Sequence, residues 1–170
     1  MIVELIANGV CAFAGAVAFA VLFSVPRHFY IGCGITGAAG WCVYLILEEY
    51  AGLSAAIASF CGTLVVVLLS RMLTVRMKCP ITIFLVSGVI PMVPGAGIYY
   101  TTYYLVMNQL GMAASKGLEA VKVSFGIVLG IAIVLSIPRD VFQKGYWKQL
   151  KYHRKKKNIF AIGLDSANKK

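Results

Sequence analysis

The stretch of sequence that constrains the fold most is Ile90-Pro91-Met92-Val93-Pro94-Gly95-Ala96-Gly97. Each proline lacks a backbone N–H and disfavours a helical conformation in the residue before it, while Gly95 and Gly97 remove the remaining stiffness. The flanking sequence is apolar, from Pro80 to about Met107. We therefore expect a helix that is interrupted at this point rather than merely bent.

The composition of the whole chain indicates the environment of such a helix. Of the 170 residues, 60% are hydrophobic and 13% are charged. A soluble domain has about half apolar and about a quarter charged residues. Disorder is excluded as well, because disordered chains have low hydrophobicity. The chain is therefore expected to be an integral membrane protein.

Polar breaks divide the chain into five apolar stretches, and a helix needs about 20 such residues to cross the hydrocarbon core. These stretches are about residues 2–25, 30–47, 53–75, 80–107 and 117–137. Pro91 lies about 16 Å along a helix from Pro80, which is about half of the hydrocarbon thickness. The predicted fold is all-α, with about five transmembrane helices, the fourth broken near the middle of the bilayer.

The charged residues indicate how these helices are oriented. The formal net charge is +10, and residues 139–170 hold ten Lys or Arg against two acids. We expect residues 1–138 to form the transmembrane helical domain, and residues 139–170 a basic cytoplasmic tail that binds anionic lipids. Arg27, Arg76 and Lys78 would lie on the same side as this tail, so the positive-inside rule predicts N-terminus out and C-terminus in. Because the charge lies beside an apolar body, no nucleic-acid partner is expected.

The broken helix suggests a substrate site. The half-helix after the break would begin at mid-membrane depth with free N–H groups and the positive end of its dipole, a setting suited to a carboxylate. Irregular backbone at that depth is tolerated only where protein or a watery cavity satisfies it. Tyrosine and threonine hydroxyls in the next turns could orient a small polar ligand, and an intramembrane glutamate is a functional candidate. The residues assigned to this site are Pro91, Pro94, Gly95, Gly97, Tyr99, Thr102 and Glu119.

Packing offers another explanation for several polar residues in this part of the chain. The prolines could form a kink, with Tyr103 and Tyr104 in an aromatic belt at the membrane interface. Glu119 could form a local ion pair with Lys122 at i, i+3. Arg71 could extend to the cytoplasmic headgroups.

Glycine spacing predicts how the helices pack. Gly126 and Gly130 are four residues apart on the fifth span, and the second span is also rich in glycine. Small residues at such intervals let helix backbones approach closely, so we expect these spans to pack against other helices rather than lipid.

The sequence has no pattern typical of an enzyme or a metal site. The five cysteines stand apart, without a CxxC motif or a nearby histidine, and neither HExxH nor a nucleophile elbow is present. We expect free thiols, no cofactor, no metal and no catalytic residue.

The motif around the break resembles the signature of the threonine/serine exporter family. It reads Phe84-Leu85-Val86-Ser87-Gly88-Val89-Ile90-Pro91-Met92-Val93-Pro94-Gly95, followed by Tyr99. Supporting matches are Ser24-Val25-Pro26-Arg27, Gly37-Ala38-Ala39-Gly40-Trp41, Gly117-Leu118-Glu119 and Ser136-Ile137-Pro138. The similarity is to the C-terminal membrane half of the family, which also occurs as a separate small subunit, as in the two-component succinate exporter of bacteria. Many relatives have proline where this chain has Ser87.

The resemblance implies a subunit of an exporter for small amino or carboxylic acids, driven by the proton gradient in a bacterial cell membrane. Threonine or serine would be the substrate ahead of a succinate-like dicarboxylate. A larger partner subunit would carry the family's other half, and homo-oligomers remain an alternative. From the residues alone, a non-transporting membrane scaffold is the competing function.

Overall fold

The computed structural model of the protein describes residues 2–137, and the regular structure in that range is entirely helical. The α-helices are α1 (Ile2–Leu22), α2 (Tyr30–Leu45), α3 (Ala55–Met77), α4 (Thr82–Val89), α5 (Gly95–Val106) and α6 (Leu110–Ser136). Short 3-10 turns lie at Arg27–Phe29 and Ile90–Met92, and a π-helical turn at Ile46–Tyr50 extends α2. The predicted tail, residues 139–170, lies outside the described residues.

Within the described range, the helices account for the expected membrane spans. Four segments, Val3–Leu22, Arg27–Tyr50, Ala55–Met77 and Leu110–Ser136, are each long and apolar enough to cross a membrane. The α4 and α5 pair makes a fifth if it is counted as one span, bent by 47° at the break. The all-α, multi-pass fold with a broken fourth span is thus confirmed, whereas its orientation in the membrane stays a prediction.

Tight turns join the spans. Ser24 and Asn108, at φ 56° and 57°, adopt the left-handed conformation just after α1 and α5. The next residue in each case donates its N–H to the carbonyl five residues earlier, Val25 to Ala20 at 3.0 Å and Gln109 to Tyr104 at 2.8 Å. This is the Schellman arrangement, which satisfies the last carbonyls of a helix.

The last span begins earlier than expected. The sequence predicts a fifth span from about residue 117, but α6 starts at Leu110, and only residues 107–109 separate it from α5. Once Asn108 has reversed the chain, the alanines at 113 and 114 favour helix. Polarity was therefore a poor guide to where this helix begins.

The break is a true interruption, as the two prolines predict. Val93, before Pro94, is extended at φ −60° and ψ 130°, as expected for a residue that precedes proline. Ile90 keeps helical dihedrals of −53° and −44°, so the expectation that both residues would leave the helical region is wrong for Ile90. Pro91 lies at the start of a 3-10 turn, where its missing N–H is not needed.

Glycines mark the close approaches between helices, as their spacing predicted. Helix α2 contacts α1, α3 and α4, while α6 packs on α3 and α5. A Cβ on Gly126 would lie 2.5 Å from the carbonyl oxygen of Ala56, and one on Gly130 would lie 3.1 Å from that of Phe60. The backbones of α3 and α6 are therefore in near contact, which only glycine permits at Gly126.

Candidate functional site

One side of the break is packed into the bundle. The Met92 side chain is 4% exposed and lies between α2 and α3, where a Cβ on Gly62 would be 2.5 Å from its Cε. Thr63 donates its hydroxyl to the Met92 sulfur at 3.8 Å. The ring of Pro91 lies near Gly37 of α2, with Cγ at 3.5 Å from a Cβ placed there. The 3-10 turn thus fills the space that the glycines leave.

The other side of the break is open. No side chain caps the N-terminus of α5, and a Cβ on Gly95 would meet nothing within 4 Å. The N–H of Gly95 donates to the carbonyl oxygen of Val93 at 2.7 Å, and that of Ile98 donates to the carbonyl oxygen of Pro94 at 3.1 Å. The N–H groups between them, of Ala96 and Gly97, begin the helix without an intrahelical acceptor. The predicted free N-terminus of the half-helix is therefore present.

Helix α5 lies against α6 through small residues. A Cβ on Gly97 would lie 3.0 Å from Ala120 Cβ, and one on Gly117 would lie 3.2 Å from a methyl carbon of Thr101. This contact places the first turn of α5 beside the turn of α6 that carries Glu119. None of the residues of α5 is buried.

The tyrosines of α5 stack as their i, i+4 spacing predicts. The rings of Tyr99 and Tyr103 are 6.4 Å apart, as are those of Tyr100 and Tyr104. Tyr99 is 64% exposed. Thr102 donates its hydroxyl to Ile98 O at 3.0 Å, which leaves only its oxygen lone pairs for a ligand.

Glu119 forms an ion pair at the surface of α6. Its Oε2 lies 3.0 Å from Nζ of Lys116, and both side chains are about half exposed. The alternative raised above placed this pair with Lys122, three residues later, whereas the partner found is three residues earlier.

Two cavities contain predicted residues, and the structure does not bring the whole predicted set together. One, of about 320 Å³, lies between α1, α2 and the break, and Pro91 lines it with Asn8 and Trp41. The other, of about 480 Å³, lies between the start of α3 and the first half of α6, and Glu119 lines it. Gly95, Gly97, Tyr99 and Thr102 lie on α5.

The larger of the two is called the α3–α6 cavity here. Apart from Glu119, the sequence did not assign its lining residues to a site. Its lining consists of Ser54, Ala55, Ala56, Ser115, Leu118, Glu119, Lys122 and Val123. Val123 belongs to the buried cluster that includes Met92. The cavity is thus connected to the break by one packed layer. Its two sides are about 60 residues apart in sequence, so no local pattern could have revealed it.

Arg71 is buried at the opposite end of α3. It is 6% exposed, and its Nη2 donates to the carbonyl oxygen of Leu135 at 2.9 Å, in the last turn of α6. This hydrogen bond caps α6, because a helix end leaves its last carbonyls without partners, and the extension of Arg71 to the headgroups stays a prediction.

Comparison with known proteins agrees with these features. The family model described as Threonine/Serine exporter, ThrE, matches residues 8–137, which include most of the first span, all the later ones and the break. No solved structure gives a significant match to the chain. The family is one of transporters rather than enzymes, so the chain has an exporter-type transport role as a multi-pass membrane protein. Since the match covers most of its length, the chain belongs to the threonine/serine exporter family.

Proposed function

We propose that this chain is the membrane subunit of a secondary exporter of small amino or carboxylic acids in a bacterial cell membrane. Threonine and serine are the favoured substrates, ahead of a succinate-like dicarboxylate. The observation that carries the proposal is the broken span, whose open side presents the uncapped N-terminus of α5.

The chemistry of this helix start suits a carboxylate. Its N–H groups donate hydrogen bonds, and the helix dipole favours a negative charge by about 0.3–1 kcal/mol, or up to about 2 kcal/mol when partly buried. Threonine, serine and succinate all carry such a group. The break alone therefore supports a small carboxylate substrate, and the choice among these three needs further contacts.

A larger partner subunit is part of the proposal. Helix α5 buries none of its residues against the rest of residues 2–137, and Gly95 and Val93, at the break, are open. Irregular backbone at membrane depth needs protein or an aqueous cavity around it. The partner carrying the family's other half would complete the site on this side, and a second copy of this chain is the alternative occupant.

Efflux measurements test the site. Cells that express the chain with its partner are preloaded with labelled threonine, serine or succinate. We expect Gly95→Leu to reduce efflux at least tenfold, because the side chain would cover the N-terminus of α5 without a clash inside the chain. Gly111→Leu is a matched control, since a Cβ at Gly111 also meets nothing within 4 Å. Unchanged efflux in both Gly95→Leu and Pro94→Ala would contradict the site.

The exposure of α5 also favours a second candidate, a non-transporting membrane scaffold. A helix with no buried residue suits a partner interface whether or not substrate passes through it. Co-purification with a partner, together with no efflux of any of the three substrates, would support the scaffold instead.

A further inference from the structure

The α3–α6 cavity carries charges of both signs. Glu119 and Lys122 both line it, and at i, i+3 on α6 their Cβ atoms lie about 5–6 Å apart. Its volume of about 480 Å³ lies within the range of about 300–1,000 Å³ that is common for small-molecule sites. We infer that this cavity is a recognition site for zwitterionic amino acids, with Glu119 binding the α-ammonium group and Lys122 the α-carboxylate.

The carboxylate side of the site has more than one donor. Lys122 has no ion-pair partner among residues 2–137. Ala55 and Ala56, which line the same cavity, begin α3, and no side chain caps that helix. The lysine ammonium and the N–H groups of the first turn favour the same anionic group. A carboxylate in this cavity would therefore neutralise Lys122.

The ammonium side depends on Glu119. Its present partner, Lys116, lies at 3.0 Å, and both side chains are about half exposed. Such surface pairs contribute little to stability, about 0–1 kcal/mol. A substrate ammonium can thus share Glu119 with Lys116, or replace Lys116, at a small cost in free energy. A second carboxylate in that place, as in succinate, would meet Glu119 as a like charge.

The remaining lining suits a short hydroxylated side chain. Ser54 and Ser115 line the cavity, and neither hydroxyl bonds to another described residue. Leu118 and Val123 provide an apolar wall. Both serines are exposed, and their hydroxyls, beside the methyl groups of this wall, can exchange hydrogen bonds with the hydroxyl of a serine or threonine substrate.

This inference rests on the proposed export of amino acids and specifies which chemical groups are recognised. Val123 packs with Met92 of the break in one buried cluster, so a single layer of side chains separates the cavity from the packed side of the break. The α3–α6 cavity would hold the substrate at one membrane face, while the break lies deeper in the bundle.

Equilibrium binding to the purified full-length chain with its partner tests the inference. The probes are labelled L-threonine and L-serine, with 3-hydroxybutyrate, threoninol and succinate as competitors. We expect L-threonine and L-serine to bind at least tenfold more tightly than 3-hydroxybutyrate, which lacks the amino group, or threoninol, which lacks the carboxylate. Glu119→Gln and Lys122→Gln should each weaken L-threonine binding at least about tenfold, as expected for loss of a charged hydrogen bond.

Matched controls separate this site from general effects of charge. Glu49→Gln and Arg76→Gln remove the same charges from exposed residues outside the cavity, and both should bind L-threonine like the native chain. Native affinity in Glu119→Gln and Lys122→Gln, with a native melting temperature, would overturn the site even if efflux is normal. A native complex that neither binds nor exports threonine or serine would overturn the proposed function as well.

Discussion

Met92 lies where three parts of the bundle meet. Its side chain touches the glycines of α2 and α3, accepts a bond from Thr63 and packs with Val123 of α6. Methionine suits this irregular gap because it is unbranched and flexible. A single side chain therefore joins the break to the helices that surround it.

Truncation of Met92 should destabilise the fold. Met92→Ala removes a side chain that is 4% exposed, and buried Met→Ala changes cost about 2–5 kcal/mol in soluble cores. We expect a clear fall in the thermal unfolding midpoint of the detergent-purified protein. Met112→Ala, at a methionine that is 57% exposed, is the control and should melt like the native chain. Equal midpoints for both variants would argue against the packed position of Met92.

At the scale of the helices, features that depend on local sequence were predicted better than features that depend on long-range contacts. Hydrophobic length predicted the spans, and the prolines predicted the break, because both depend on neighbouring residues. Ser87 is another local feature. A proline at this position would lack the backbone N–H that a helix uses, whereas here α4 continues through Ser87. The Ser87 hydroxyl donates to the carbonyl oxygen of Ile83 at 2.8 Å. The α3–α6 cavity depends on how two distant helices pack, so its lining was not predicted beyond Glu119.

The contact between α3 and α6 should tolerate no side chain at Gly126. In Gly126→Leu, the new Cβ would lie 2.5 Å from the Ala56 carbonyl oxygen, so the two backbones must separate. We expect loss of the monodisperse species in size-exclusion chromatography and a lower melting temperature. Gly111→Leu, in open space on the same helix, should leave the elution profile and the melting temperature unchanged. A native elution profile for Gly126→Leu would contradict the close approach.

The cap on α6 makes a separate prediction. Arg71→Met keeps an unbranched stem like that of arginine but removes the donor to Leu135 O. Hydrogen bonds to charged groups contribute about 1.5–3 kcal/mol, so we expect a lower unfolding midpoint. Arg76→Met, at an exposed arginine of the same helix, should have little effect. A similar small shift in both would mean that the buried guanidinium does not stabilise α6.

For the whole molecule, the predicted orientation can be measured directly. Reporter enzymes that are active only on the outer side of the membrane should be active when fused after Gly52, between α2 and α3. They should be inactive when fused after Lys78, between α3 and α4. The reason is that Arg76 and Lys78 favour the cytoplasmic side, whereas Glu48 and Glu49 lie before the other connection. The reverse pattern would place the α3–α6 cavity on the cytoplasmic side.

The turns at Ser24 and Asn108 also limit how this protein can move. Each is closed by hydrogen bonds that satisfy a helix end, so the connections have little slack, and sliding one span past its neighbour would break them. We expect the bundle to behave as a nearly rigid body during a transport cycle. Val93 and Pro94, the two residues between the 3-10 turn and α5 that are not helical, are then the position at which the fourth span can bend.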